Sequence, residues 1–281
     1  MTSERIQILE RLADVGANAW NTLAGINPFL RHEFLSNLES SGCVCAETGW
    51  EPRHILIWRG ASLVGAMPLY LKHHSYGEYI FDWAWADAYH RHGLNYYPKL
   101  SSAIPFTPVS GARLLSDDAS ICAMLTSAAL TLAKETQVSS LHILYPTGIQ
   151  AESLKSAGFM LRNSTQFHWH NRSYDTFDTF LAEMSHDKRK RIKQERRKLA
   201  EQDIRFEILE GAEISAADWQ FFNRCYRTTY QLHHSSPYLN LQFFLSLGRD
   251  MPENVVMIKA LKDGRSIAVA LNLKDEKRLY G

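Results

Sequence analysis

Several catalytic signatures are missing from this sequence. It has no Gly-x-Ser-x-Gly elbow, no His-Glu-x-x-His pair and no Cys/His pairing of metal-site or protease type. No Walker or dinucleotide fingerprint occurs either. No stretch approaches the roughly 20 apolar residues of a membrane span. Met1 to Arg11 contains Glu4, Arg5, Glu10 and Arg11 rather than the apolar core of a signal peptide. The four cysteines, Cys43, Cys45, Cys122 and Cys225, form no even ladder of spacings, which argues against a disulfide framework. Cys43-x-Cys45 has no second close pair to complete a zinc site, so buried thiols and no metal are expected. The formal net charge of +1 provides no global field toward nucleic acid or anionic lipid, and any such binding needs a local patch. These absences predict a reducing, cytoplasmic setting.

What remains is a chain of 281 residues, 45% hydrophobic and 22% charged, long enough for two ordinary domains. The opening elements read as helical. Asn27-Pro28 starts a helix whose apolar face is Phe29, Phe34, Leu35 and Leu38, ending at Gly42. Three strands follow, at His54–Arg59, at Leu63–His74 with a break near Pro68, and at Tyr79–Trp85, with turns at Gly60 and Gly77. Pro105–Leu115 reads as extended. Asp117-Asp118 opens a helix to about Glu135. Ser140–Tyr145 reads as a strand buried on both faces, Glu152–Ala157 as a helix, and Phe159–Asn171 as a strand. This order predicts an α/β layer with a mixed sheet.

A second unit is expected from Tyr174. It contains helices at Phe177–Met184, Ser185–Gln202, Ala216–Leu232 and Leu241–Leu247. A strand at Ile204–Leu209 and a hairpin of Val255–Lys262 with Ser266–Leu273 follow, and a further strand begins at Arg278–Tyr280. The plan repeats that of the first unit and stops where the first continues. An incomplete second domain is therefore expected, since a lone hairpin is marginally stable.

Three stretches carry chemistry. Asp82 to Lys99 crowds aromatic, His and Asp side chains into one loop, as suits a groove that holds and hydrogen-bonds a substrate. Asp82, Asp87 and His92 are the candidate proton acceptors for an amine nucleophile, and Trp85, Tyr96, Tyr97 and Lys99 the candidate substrate contacts. Trp83 and Trp85, two apart, read equally as core. Around Pro105 to Leu115, Gly111 allows close backbone approach and Arg113 suits a carboxylate or phosphate, although an ion-pair role in the fold is as good a reading. Lys188 to Lys198 has eight basic residues and one acidic one. Lys188, Arg189, Arg191, Arg196 and Arg197 are candidates for phosphate or RNA contact, against the alternative of a solvated helix paired with Glu195 and Glu201.

The chain also resembles the FemAB-like family of predicted N-acyltransferases. The residues that carry the resemblance are Asn27-Pro28-Phe29 with Glu33-Phe34-Leu35, Pro68-Leu69-Tyr70-Leu71-Lys72, Gly77-Glu78-Tyr79, Phe81-Asp82-Trp83 and Ala86-Asp87-Ala88-Tyr89. They continue with Gly93, Tyr96-Tyr97-Pro98-Lys99-Leu100, Pro105-Phe106-Thr107-Pro108-Val109, Arg113-Leu114-Leu115, Phe167-His168-Trp169 and the basic run from Lys188. The resemblance implies a GNAT-like acyltransferase fold in two tandem domains, 1–173 and 174–281, the second incomplete and carrying a basic helix near 185–202. It implies transfer of an acyl or aminoacyl group to an amine on a small molecule or peptide, in peptidoglycan precursor metabolism. No bound cofactor is expected; the co-substrate would be acyl-CoA or aminoacyl-tRNA. The alternative is a non-catalytic RNA-binding or scaffold protein that keeps the fold. The resemblance supplies no catalytic residue that maps onto this chain and no oligomeric state.

Overall fold

A computed structural model of the chain describes residues 3–281. The strands are β1 (Glu4–Leu9), β2 (Trp50–Pro52), β3 (His54–Arg59), β4 (Ser62–Met67), β5 (Tyr70–Lys72), β6 (Lys99–Ser102), β7 (Leu141–Ile143), β8 (Arg205–Glu210), β9 (Val255–Lys262), β10 (Arg265–Lys274) and β11 (Leu279–Tyr280). The helices are α1 (Ala17–Ala24), α2 (His32–Ser40), α3 (Trp83–Arg91), α4 (Ala119–Glu135), α5 (Gly148–Ser156), α6 (Phe177–Ala182), α7 (His186–Glu201), α8 (Ala216–Leu232) and α9 (Leu241–Asp250). The strands form three sheets, in the orders β1-β3-β4, β2-β5-β6-β7 and β11-β10-β9-β8. The second is mixed: β6 pairs antiparallel with β5 and parallel with β7. The third flanks the β9–β10 hairpin on both sides, with β8 against β9 and β11 against β10.

Local chemistry accounts for many boundaries. The Asn27 side chain accepts from the Phe29 amide, and Pro28 opens a short 3-10 turn. That turn ends at an extended Arg31 before α2 begins, so the expected single helix comes in two pieces. Pro68 separates β4 from β5. Asp118 caps α4 by accepting from the Ser120 amide. α4 packs against β3, β4 and β7. It approaches β4 so closely that a Cβ on Gly65 would lie 2.3 Å from Ile121 Cγ2.

Two apolar clusters hold these layers. One includes Ile55, Ile57, Leu100, Leu114, Ile121 and Leu125 beneath α4. The other draws on both halves of the chain, from Trp20, Phe34 and Trp50 to Trp219, Phe243 and Met257. Each fully buried side chain of this size contributes roughly 1.5–3 kcal/mol. Phe34 meets Phe243 edge-on at 5.6 Å, and Asn37 donates to Asp250 at 3.1 Å.

Five expectations require correction. Glu4–Leu9 is a strand, not part of a helical opening; the alternation Arg5-Ile6-Gln7-Ile8 suits an edge position against β3. Tyr79–Trp85 is not a strand. The chain is irregular to Asp82 and then helical, with the Ala86 amide on the Asp82 carbonyl at 2.9 Å. Ala84, Ala86 and Ala88 are strong helix formers, and they outweigh the apparent two-residue period of the tryptophans. Trp83 and Trp85 are consequently about half exposed rather than core. Phe159–Asn171 has no regular structure and is tied by side-chain bonds instead of a ladder. β7 is only half buried. Finally, α5 begins at Gly148 rather than Glu152, because Thr147 caps it by accepting from the Gln150 amide.

Candidate functional site

Strand alternation gives the mixed sheet two unlike faces. Trp50, Lys72 and Lys99 stand in one cross-strand row, and Tyr70, Ser101 and His142 lie in the next row on the same face. The opposite face carries Leu71, Leu100, Leu141 and Ile143, which join the cluster beneath α4. The sheet thus buries apolar residues on one side and amines, hydroxyls and an imidazole on the other.

The loop from Ser75 to Asp82 lays two carboxylates over this polar face. Lys99 Nζ lies 2.7 Å from Glu78 Oε2 and 2.5 Å from Asp82 Oδ2, with all three side chains fully buried. Ser75 Oγ accepts from Lys99 at 3.3 Å and shares a 2.8 Å hydrogen bond with the Tyr97 hydroxyl. Asp82 Oδ1 accepts from Arg162 at 2.7 Å. Tyr96 OH and Ser140 Oγ lie 3.3 and 2.9 Å from His142 Nε2, and His142 Nδ1 lies 4.0 Å from Asp82. Glu78 Oε1 is buried and has no hydrogen-bond partner among the described residues.

Protonation follows from this geometry. Burial alone would raise the Asp82 carboxyl, but the hydrogen bonds from Lys99 and Arg162 win and hold it at about 2. For Glu78 the balance reverses: burial outweighs Lys99 and pushes the carboxyl up. Burial and the neighbouring Lys99 lower His142 to about 4, leaving a neutral imidazole at pH 7. Lys72 is lowered to about 6, chiefly by burial and then by Lys99, with Glu78 opposing. Its Nζ sits 3.5 Å from the Trp50 ring centroid and donates to the Tyr76 carbonyl at 3.3 Å. The ring face favours the ammonium and offsets part of the burial cost.

Beyond Trp50 and Tyr76 lies a cleft of about 170 Å³, lined also by His74, Phe106, Pro237 and Tyr238. Phe106 and Tyr238 stack at 5.0 Å across the two halves of the chain. Gly77, at φ +80°, lets the loop turn over this wall; a Cβ there would lie 2.5 Å from Phe106 Cδ1.

The structure brings together Asp82, Tyr96, Tyr97 and Lys99 from the sequence-predicted set. Trp85, Asp87 and His92 lie apart from these contacts, on or at the end of the exposed α3, with Asp87 paired to Arg91 at 3.0 Å. Gly111 donates its amide to the Tyr145 carbonyl. Arg113 is fully buried and donates to the carbonyls of Val109 and Ala112; among the described residues Nε has no partner and no carboxylate pairs with the guanidinium. The start of α4 after it is already capped by Asp118. Along α7, Lys188, Arg189, Arg191, Arg196 and Arg197 are on a solvent-facing helix with no buried residue. Arg191 pairs with Glu195 and Arg197 with Glu201, while Arg196 covers the Phe177 ring at 4.5 Å.

Lys72, Glu78, His142 and Arg162 were not singled out as site residues by sequence reasoning. A signal existed for Lys72, a charged residue closing the apolar run Leu69-Tyr70-Leu71 at the end of β5. His142 and Arg162 reach the site only through the fold. No group of three or more His, Cys, Asp or Glu side chains with metal-binding geometry occurs among the described residues, and Cys43 and Cys45 are free thiols. No helix among them is long and apolar enough to cross a membrane.

Among curated proteins, none matches the chain. A solved structure, "Crystal structure of FemX", aligns with 88% of this chain at 12% identity and a TM-score of 0.47; the chain spans 56% of that protein's length. The FemAB_like family model, described as peptidoglycan biosynthesis/recognition, matches residues 11–281. The chain belongs to the FemAB-like family.

Proposed function

We propose that this protein is an N-acyltransferase of peptidoglycan precursor metabolism that moves an acyl or aminoacyl group onto an amine, on a framework of two GNAT-like units divided near residue 173. One observation carries this reading: two buried carboxylates bridged by Lys99 over a polar sheet face, with Glu78 Oε1 left unpartnered. An amine attacks an acyl carbonyl only after losing its extra proton. Glu78, raised by its burial, is better matched to accept that proton than Asp82, which its ion pairs keep ionised. Asp82 and Lys99 then act as positioning groups. The new C–N bond forms as the carbonyl carbon releases a thiolate or a ribose oxygen, and the leaving group takes up a proton. The donor is acyl-CoA or aminoacyl-tRNA, and the exposed basic face of α7 favours the phosphate-rich RNA donor.

The test supplies labelled amino acid on charged tRNA, beside labelled acetyl-CoA, to the protein with a panel of amines. Transfer is expected with one donor, and Glu78→Gln should reduce kcat by about 10²–10⁴. Silence of the unaltered protein with both donors would overturn the reading.

A further inference from the structure

Lys99 and Arg162 hold the same carboxylate in unlike ways. Lys99 projects from a central strand, is wholly buried, and binds Glu78 and Asp82 together. The Arg162 side chain is 51% exposed, and its guanidinium meets one partner, Asp82 Oδ1. It hangs from the irregular stretch after α5, in which Met160 is 89% and Phe167 97% exposed, so apolar burial does little to fix that stretch. Its next tether is Gln166, on the Pro108 carbonyl.

Formal charge sharpens the contrast. Without Arg162, Lys99 is the one cation in direct contact with the two buried carboxylates among the described residues, since the Lys72 amine is engaged by the Trp50 ring and the Tyr76 carbonyl, and a buried anion left unmatched is costly. The two oxygens not engaged by Lys99 are Asp82 Oδ1 and Glu78 Oε1, and the second has no partner. The cluster therefore leaves one carboxylate oxygen without a partner and a second held by a half-exposed arginine.

We infer that Arg162 is an internal stand-in for a ligand cation, a displaceable plug at Asp82 Oδ1 whose place an alkylammonium group of the ligand takes. This rests on the reading of the cluster as an amine-acceptor site. An ammonium is compact enough to enter where a half-exposed guanidinium leaves, and it carries three N–H donors to offer Asp82 Oδ1. Arg162 then keeps the carboxylates paired while no acceptor is bound, at the expense of acceptor affinity, as for any site whose competent state is only partly populated.

The experiment titrates the full chain with Nα-acetyl-lysine methylamide, an alkylammonium probe, and with its uncharged norleucine counterpart, by calorimetry. No acyl donor is present, so the result is independent of whether transfer occurs. Arg162→Ala should tighten the ammonium probe about tenfold, the worth of one charge-assisted hydrogen bond. Arg162→Lys should change it little, and Asp82→Asn should abolish the gain when combined with Arg162→Ala. The norleucine probe should not respond. Unchanged or weaker ammonium binding in Arg162→Ala, an equal gain for norleucine, or no ammonium binding by either protein would overturn the inference. Should the alanine variant unfold, Arg162→Gln at this half-exposed position provides the same comparison.

Discussion

Lys72 and Lys99 stand directly opposite each other across β5 and β6, both wholly buried, yet Lys99 alone is ion-paired. The Lys72 amine has a ring face and one carbonyl instead. Like charges in a cross-strand pair oppose each other, and burial penalises the second charge further.

Lys72→Met should therefore raise the melting temperature. The sign follows from the lowering of this amine from its usual 10.5 to about 6. Between those values the unfolded chain binds the proton that the folded chain refuses, so Lys72 penalises folding most below about pH 6 and least above 10.5. The gain from methionine should be largest on the acid side and fade as the pH approaches 10.5. Thermal melts of the two proteins across that range measure it. A methionine variant that melts lower at every pH would show that the contact with Trp50 outweighs the burial penalty.

Asp82 has the opposite sign. Its carboxyl is depressed from 3.8 to about 2, so its contribution to stability is complete above 3.8 and is lost as the pH falls through about 2. Asp82→Asn should lower stability at neutral pH by roughly 3 kcal/mol, the lower end for breaking a buried ion pair, because Lys99 keeps Glu78. The variant should also lose the part of the acid-induced decline that falls between pH 3.8 and about 2. Denaturant titrations at pH 7 and through the acid range provide both readings. Equal slopes with pH in the two proteins would place the stabilising role on another carboxylate.

Much of the C-terminal half was legible in sequence because its elements are local. Ala216–Leu232 and Val255–Lys262 fall where periodicity put them, the first capped by Ser215 with Asp218. The N-terminal half was harder around the candidate site. Trp83 and Trp85 suggested a strand, and only helical hydrogen bonding from Asp82 resolves the ambiguity. Asp82, Tyr96, Tyr97 and Lys99, which lie together in the fold, stood out because aromatic and charged residues crowd one stretch. Lys72, Glu78, His142 and Arg162 are spread over ninety positions, from β5 to the irregular stretch after α5. Strand register joins Lys72 and His142 to Lys99, and salt bridges bring in Glu78 through Lys99 and Arg162 through Asp82; no local pattern encodes a register between distant strands.

The basic helix α7 separates the RNA-dependent readings. Its ion pairs, Arg191 with Glu195 and Arg197 with Glu201, are exposed pairs between neighbouring turns, each worth about 0.3–0.5 kcal/mol. Such pairs exchange readily for phosphate. Replacing Arg189, Arg191, Arg196 and Arg197 with Ala should leave the fold nearly intact, since all four are on a helix with no buried residue. The largest single loss is the Arg196–Phe177 contact, about 0.5–1 kcal/mol. Retention of tRNA should fall, and the dependence of log affinity on log salt should flatten by about one unit for each phosphate contact removed. Filter binding at several salt concentrations measures both. Glu78→Gln supplies the counter-test, because it lies in the buried cluster away from this helix. If RNA serves as the donor, Glu78→Gln should stop transfer while retention and its salt slope stay unchanged, and the arginine variant should lose both. If RNA binding is the whole activity, Glu78→Gln should behave as the unaltered protein in every measurement, with no transfer by either. Retention that ignores the four arginines would leave α7 a solvated surface and move the donor question to acyl-CoA.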